Sequence, residues 1–319
     1  MMITVLQPGL KTTIQDAGRP GHRARGIPQS GAADRLSFAI ANHNVGNDWA
    51  LPALEITMGG LVIKALRNIK IAISGANMTA TNGDKRLTTN KAYTIKAGQI
   101  ISFAYAPYGA RAYLAVAGGI DGELFEGSRS TYAPAKLGGI EGRALQAGDI
   151  LHSLGAATSQ DGTLPTDLCP RLTRGYVLRV QKGPEFDSHL TADTQRRLFT
   201  ETYTAGPQSS RMGLQLSLPA RDALALGLSN QTPLTSSPLL PGTLQITSGG
   251  TAILSGIDSH CTGGYARALC VIPADQWLIG QIAPGTHVYF RRTRTKDAET
   301  ALTLRNMIYG RYISGFRFD

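Results

Sequence analysis

The chain has 319 residues, 42% of them hydrophobic, with 32 Lys and Arg against 22 Asp and Glu. That is apolar material for two ordinary domains or one large β unit, without an apolar run long enough to cross a bilayer or a recognisable cleavable leader, so a cytoplasmic protein with no membrane partner is expected. The three cysteines, Cys169, Cys261 and Cys270, are odd in number and lack CxxC spacing, which argues against a disulfide framework and a thiolate metal site.

The formal charge of +10 raises nucleic-acid binding, because phosphate neutralisation drives it. The distribution argues otherwise. Arginine is scattered, aromatics for stacking are 7%, and the one dense basic run (Arg291, Arg292, Arg294, Lys296) lies near the C-terminus. A basic face for acidic partners or anionic substrates is the better expectation, with no nucleic acid.

In chain order, residues 12–35 gather glycines, prolines and arginines with Asp16 and Asp34, which predicts a functional surface loop leading into a helix over about 33–44. Asp34 stands at that helix start, as a cap or as a substrate-binding residue. Ile69, Ile71 and Ile73 alternate with Lys70 and Ala72, and Tyr176, Leu178 and Val180 alternate with Val177, Arg179 and Gln181; each is a period-two strand. A second helix is predicted over about 190–200 with Thr191 as its cap, and a third after the basic run, where Ala301, Leu304 and Ile308 recur at helical spacing.

The 37 glycines and 16 prolines punctuate short apolar runs, the pattern of an all-β protein with a few helices. "LEITMGG" at 54–60 resembles "LQITSGG" at 244–250, and "AGQIISF" at 97–103 resembles "PGTHVYF" at 284–290, at nearly the same offset. Two related β domains would give such an echo, and so would chance among glycine-rich strands. The polar stretch 156–170 is the expected joint, giving domains 1–165 and 166–319, the second ending in the helix.

Three motifs bear on chemistry. "SGIDSHCTGGYARALC" at 255–270 puts Asp258, His260 and Cys261 together. Adjacent residues of an extended chain point to opposite sides, so a Cys–His nucleophile or a metal site fits poorly, and no metal is expected. Thr262, Gly263, Gly264 and Tyr265 form the stronger signal, since glycines let backbone amides approach a ligand while a hydroxyl and a phenol offer directed contacts; a plain turn is the competing reading. "GPQSSRMG" at 206–213 presents Gln208, Ser209, Ser210 and Arg211, suited to a carboxylate or phosphate, although a structural ion pair would equally explain the arginine. It is no Walker loop, lacking Gly-Lys-Ser/Thr. "GARAYLAVAGGIDG" at 109–122 lacks the dinucleotide order, and "LGGIEGR" at 137–143 lets Glu141 and Arg143 pair without chemistry.

"TTIQDAGRPG", "GIPQSGAAD", "NVGND" with "PALEIT", "AYLAVAGGID", "LGGIEGR", "KGPE", "SSRMG", "LLPGTLQI" and "TGGY" occur in one order along nearly the whole chain. In that order they resemble the family described as the Kip antagonist, allophanate hydrolase subunit 2 and urea amidolyase carboxyltransferase-domain family, whose bacterial members include the C-subunit of 5-oxoprolinase. The resemblance implies a pair of cyclophilin-like β-barrel domains. It implies work as the C-subunit of an ATP-dependent 5-oxoprolinase, a hydrolase opening the small-molecule lactam 5-oxoproline to glutamate. Its partners would be a B-subunit related to the Kip inhibitor and an unrelated A-subunit, with ATP bound somewhere in the complex.

An unstrained amide must be activated before water opens it, which calls for anion binding and oxyanion stabilisation more than for a protein nucleophile. On this reading Asp258, Arg211 and Ser210 are the catalytic set, and Gln208, Thr262, Gly263, Gly264, Tyr265 and Asp34 bind substrate. The same resemblance implies two alternatives: a carboxyltransferase module served by biotin on other chains, this one having no Met-Lys-Met site, and a non-enzymatic regulator that sequesters a Kip inhibitor relative. Relatives commonly carry proline after Thr-Gly-Gly-Tyr, where this chain has Ala266, and Ser259-His260-Cys261 also departs from the family pattern.

Overall fold

The structure is a computed structural model and describes residues 1–156, 161–218, 225–229 and 234–318. It is built mainly of β-strands with few helices, as the glycine punctuation predicts. The chain divides into two compact units.

The first unit comprises Met1–Arg19, Ser30–Leu172 and Asn306–Arg317. Its six-stranded sheet runs in the order Ile150–Leu151, Ile3–Pro8, Leu61–Ala65, Ile100–Ser102, Thr81–Asn82, Lys85–Arg86. Its five-stranded sheet runs Lys11–Gln15, Ala53–Thr57, Arg111–Val116, Ile69–Gly75, Lys91–Ile95. Alternation places Ile69, Ile71 and Ile73 in a core with Leu54, Ile56, Ile63 and Leu114. Ala72, on the opposite face of its strand, is also buried, because Phe38 and Ala41 of the helix Arg35–Asn44 cover that face.

The second unit comprises Pro20–Gln29, Thr173–Arg305 and Phe318–Asp319. Seven strands close a barrel in the order Gly175–Lys182, Ala266–Val271, Thr243–Ile246, Ala252–Ser255, Gly213–Ser217, Tyr203–Ala205, His287–Arg292. Closure leaves no free edge strand within the barrel. Tyr176, Leu178 and Val180 fill its interior with Leu244, Ile246 and Phe290, while Val177 between them stands 53% exposed. Of the two barrels expected, this one is closed; the first unit is a pair of sheets. In each sequence echo both members fall on a strand.

The domain boundaries differ from a single cut at residue 165. Residues 161–172 pack with the first unit, where Gly162 N–H donates to the His43 carbonyl (3.0 Å) and Lys70 pairs with Asp161 (2.9 Å); residues 157–160 of the expected joint lie outside the described residues. The chain end also returns to the first unit, with Phe316 edge-on to Trp49 at 5.3 Å and the Tyr309 hydroxyl donating to the Leu168 carbonyl. Polar composition marked a segment without periodicity, yet a few backbone bonds suffice to tie such a segment down.

All three predicted helices form, as Arg35–Asn44, Ala192–Thr200 and Thr295–Gly310. Thr191 caps the second, its hydroxyl accepting from Thr194 N–H (3.1 Å). A short helix at Phe186–His189 and a run of 3₁₀ turns over Pro273–Gln281 carried no periodic signal in the sequence.

Candidate functional site

The second unit brings the two polar motifs side by side. Gly256 N–H donates to the Met212 carbonyl (2.9 Å) and Asp258 N–H to the Arg211 carbonyl (3.0 Å), so loop 206–213 runs against loop 255–261 through main-chain bonds. Gly256 is required there, because a Cβ would stand 2.2 Å from the Arg211 carbonyl oxygen. Beneath this seam Arg211 and Asp258 form a buried two-pronged ion pair, Nε to Oδ2 at 2.6 Å and Nη2 to Oδ1 at 3.1 Å, with 6% and 4% of each residue exposed. Planar guanidinium and carboxylate match in this geometry, and each neutralises the other's charge in a dry setting.

Most exposed groups of these two segments are polar. Gln208 and Ser210 are exposed, and the Ser210 Oγ accepts from Met212 N–H (3.2 Å) while Ser210 N–H donates to the Gly213 carbonyl (2.9 Å). Thr262 and Gly263 form a two-residue strand against Ser237–Pro238, followed by exposed Gly264 and a Tyr265 that is 48% exposed. This glycine ribbon, rather than a plain connecting turn, is what the double glycine builds. Gly263 lies against Gln245, whose amide nitrogen would be 2.7 Å from a Cβ at that position. Gln245 is on the strand Thr243–Ile246, where Leu244 and Ile246 face the barrel core and Gln245 faces the other way.

Three further side chains hold the ribbon, and none of them stood out as a site residue in the sequence. Arg23 donates to the carbonyls of Leu239 and His260 (2.9 Å to His260), and Leu239 N–H donates to the Cys261 carbonyl (3.0 Å). Glu185 receives Arg267 through Nε (2.8 Å), Nη2 (2.6 Å) and the main-chain N–H (3.0 Å), and Arg267 reaches the Pro238 carbonyl through Nη1 (3.0 Å). The hydrogen bonds from Arg267 hold the Glu185 carboxyl below the usual range, against the opposing effect of its partial burial. The signals were present in part: Arg23 belongs to the arginine-rich stretch 12–35, and Glu185 ends the "KGPE" segment.

Of the residues singled out in sequence, Arg211, Asp258, Ser210, Gln208, Thr262, Gly263, Gly264 and Tyr265 all belong to this unit. Asp34 belongs to the other, where it is fully buried and caps the helix Arg35–Asn44, accepting from Ser37 N–H (2.9 Å) and Oγ (2.6 Å). Of its two readings the structure takes the capping one, because the helix end needs an acceptor at that place. Its main-chain N–H donates to the Tyr113 hydroxyl (2.7 Å), which donates to Glu55 (2.8 Å). Burial first, and then the nearby Glu55 carboxylate, push the Tyr113 phenol well above its ordinary range, so it stays a donor.

His260 is exposed and Cys261 half-buried, and among the described residues no three His, Cys, Asp or Glu side chains converge as metal ligands. The arrangement is a glycine ribbon held by the half-buried Arg267–Glu185 pair and a serine-rich loop held by the buried Arg211–Asp258 pair, with neutral polar side chains exposed to solvent. It can orient a small polar molecule and donate to a developing oxyanion. No helix among the described residues is long and apolar enough to cross a membrane.

The class of protein is defined by a β-rich chain with one closed seven-stranded barrel and an exposed polar loop face. The family model "Carboxyltransferase domain, subdomain A and B" matches residues 25–292, and the chain belongs to that family. It is similar to the C-subunit of 5-oxoprolinase from Escherichia coli, 35% identical over 93% of both chains, and to that of Haemophilus influenzae, 31% identical over 97% of this chain and 96% of the relative. Urea amidolyase of Lachancea kluyveri is 31% identical over 90% of this chain, which spans 16% of that larger protein. Among solved structures, Kluyveromyces lactis urea carboxylase superposes with a TM-score of 0.90 at 28% identity, covering 99% of this chain and 29% of that one.

Proposed function

We propose that this chain is the C-subunit of an ATP-dependent 5-oxoprolinase, acting in the cytoplasm with a B-subunit related to the Kip inhibitor and with an A-subunit. The observation that carries this reading is the sequence identity to bacterial C-subunits, 35% to that of Escherichia coli and 31% to that of Haemophilus influenzae, spread over 93% and 96% of those relatives. The closed barrel is read, with the family, as cyclophilin-like.

In this role the chain binds and orients the lactam. Gln208, Ser210, Thr262 and Tyr265 take the ring and carboxylate, and the amides of Gly263 and Gly264 stabilise the oxyanion that develops when water adds to the activated amide carbon. Arg211 and Asp258 act through the loops they lock together, in the positioning role that their mutual pairing supports. ATP supplies the activation of the amide. This chain offers no Gly-Lys-Ser/Thr phosphate loop, so ATP is assigned to the complex and no step is routed through it here.

Glutamate production from 5-oxoproline and ATP tests the proposal, using this chain co-expressed with its genomic neighbours and the same mixture without it. Formation that depends on this chain is expected. A well-folded complex with no turnover would refute it.

The carboxyltransferase reading has its own support in the family description and in the urea carboxylase superposition. There biotin would arrive on another chain, and avidin would abolish activity; under the first reading avidin has no effect. Tight co-purification with the Kip inhibitor relative and no reaction of either kind would point to the regulatory role.

A further inference from the structure

The basic run near the C-terminus is not used by the site described above. It sits at the turn after the strand His287–Arg292, beside the end of the strand Gly175–Lys182. Parallel pairing sets Val180 opposite Arg292, Thr293 N–H donates to the Val180 carbonyl (2.9 Å), and the Gln181 amide donates to Thr295 Oγ1 (2.9 Å). These bonds fix a concavity of about 490 Å³ lined by Gln181, Lys182, Arg292, Thr293, Arg294 and Thr295.

Its charge is unbalanced. Residues 291–299 hold Arg291, Arg292, Arg294 and Lys296 against Asp297 and Glu299, and Lys182 brings its own exposed partner, Asp187 (2.6 Å). Arg294 pairs with Asp297 at 2.9 Å, with both side chains well exposed. Among the described residues Arg291, Arg292 and Lys296 make no side-chain hydrogen bond or ion pair. Of the cations lining the concavity, Arg292 has no counter-charge among the described residues, and Lys182 and Arg294 are held only by exposed carboxylates.

We infer that this concavity is a docking face for an acidic segment of another protein. The lining favours that occupant over a small ligand: it has no aliphatic or aromatic residue, whereas pockets for small molecules are mostly apolar with a few convergent polar groups. Arginine is enriched at protein interfaces, and guanidinium groups pair with carboxylates in a matched plane. The exposed pairs at Arg294 and Lys182 can exchange their own carboxylates for a partner's with little loss. Such a face raises association rates and confers salt dependence. It is independent of which reaction the chain serves.

The test is fluorescence anisotropy of a fluorescein-labelled hexaglutamate peptide with the full chain, with Arg292→Glu, and with Arg86→Glu as an equal charge change on an exposed strand of the other unit. The expected result is binding at low salt that weakens about tenfold in Arg292→Glu and about tenfold on raising salt to physiological strength, with Arg86→Glu close to the parent. Circular dichroism confirms the fold of each variant, and Arg292→Gln replaces any that fails. Absence of peptide binding at low salt overturns the inference, as do equal losses in both variants. It is likewise overturned if inorganic tripolyphosphate or a short DNA duplex binds in an Arg292-dependent manner while the peptide does not.

Discussion

Each unit buries acidic side chains, and Asp16 of the first and Asp258 of the second are satisfied differently. In the first, Asp16 is held by neutral donors, accepting from Gly18 N–H (2.8 Å), Ser128 Oγ (2.6 Å), Ser130 Oγ and Arg129 N–H. Glu55 accepts from Tyr113 Oη and Ala33 N–H (2.9 Å) and stands 3.3 Å from Arg111. Asp34 closes a helix end. Each sits inside the fold and joins one element to another. In the second unit Asp258 is balanced by one arginine, and the pair lies beneath a loop surface whose outer side chains have hydrogen-bonding capacity left over. A carboxylate surrounded by short neutral donors secures structure. A charge pair under an exposed polar loop secures structure and fixes the orientation of what lies above it.

The largest expected effect follows from breaking that pair. Arg211→Ala takes the arginine from the buried Asp258 carboxylate and should cost about 3–5 kcal/mol in urea unfolding, whereas the double change Arg211→Met with Asp258→Leu should recover most of it. Loss of turnover without loss of stability in the single variant would instead make the pair catalytic. In the first unit, Tyr113→Phe takes one donor from Glu55, which keeps Ala33 N–H and Arg111, and removes the hydroxyl that accepts from Asp34 N–H, with an expected loss of about 1–3 kcal/mol and unchanged kinetics in the complex. Gly256→Ala drives a methyl into the Arg211 carbonyl and should cost about 1–3 kcal/mol while weakening substrate handling, since the seam must open.

Smaller effects come from the exposed pairs and from pH. The folded Glu185 and Asp149 carboxyls both lie below their unfolded values, Glu185 through Arg267 and Asp149 through Arg143. Their stabilisation is therefore complete above the ordinary carboxylate range and is lost as pH falls through the depressed folded values. An acid unfolding curve should steepen below about pH 4, and less so in Glu185→Gln. Least affected should be Cys261→Ala, with turnover in the complex close to the parent, because the thiol has no part in the proposed chemistry.

Much of the second unit's candidate site could be proposed from the sequence because its parts are local. Two glycines beside a threonine and a tyrosine, and serines beside an arginine, each carry their meaning within a few residues. The meeting of Arg211 with Asp258 was not legible, since 47 residues separate them and only the pairing of the strand Gly213–Ser217 with Ala252–Ser255 makes them neighbours. Arg23 was hidden for the same reason: it lies 237 residues before the His260 carbonyl it holds, in a segment, residues 20–29, that belongs to the second unit although the chain on either side belongs to the first. Asp34 was ambiguous because a carboxylate before a helix reads the same whether it caps or binds; burial decided it. The closing helix was periodic enough to predict, but the return of Phe316 to Trp49 is a tertiary contact with no local signature.

On the proposed function, the exposed side chains of Gln208 and Tyr265 receive the substrate. Steady-state kinetics of the assembled complex carrying Gln208→Ala or Tyr265→Phe in this chain tests it most directly, with melting curves alongside. The expected result is at least about a tenfold fall in kcat/KM for 5-oxoproline, about 1.4 kcal/mol in the transition state, at an unchanged melting temperature. Parent-like kinetics in both variants would contradict it.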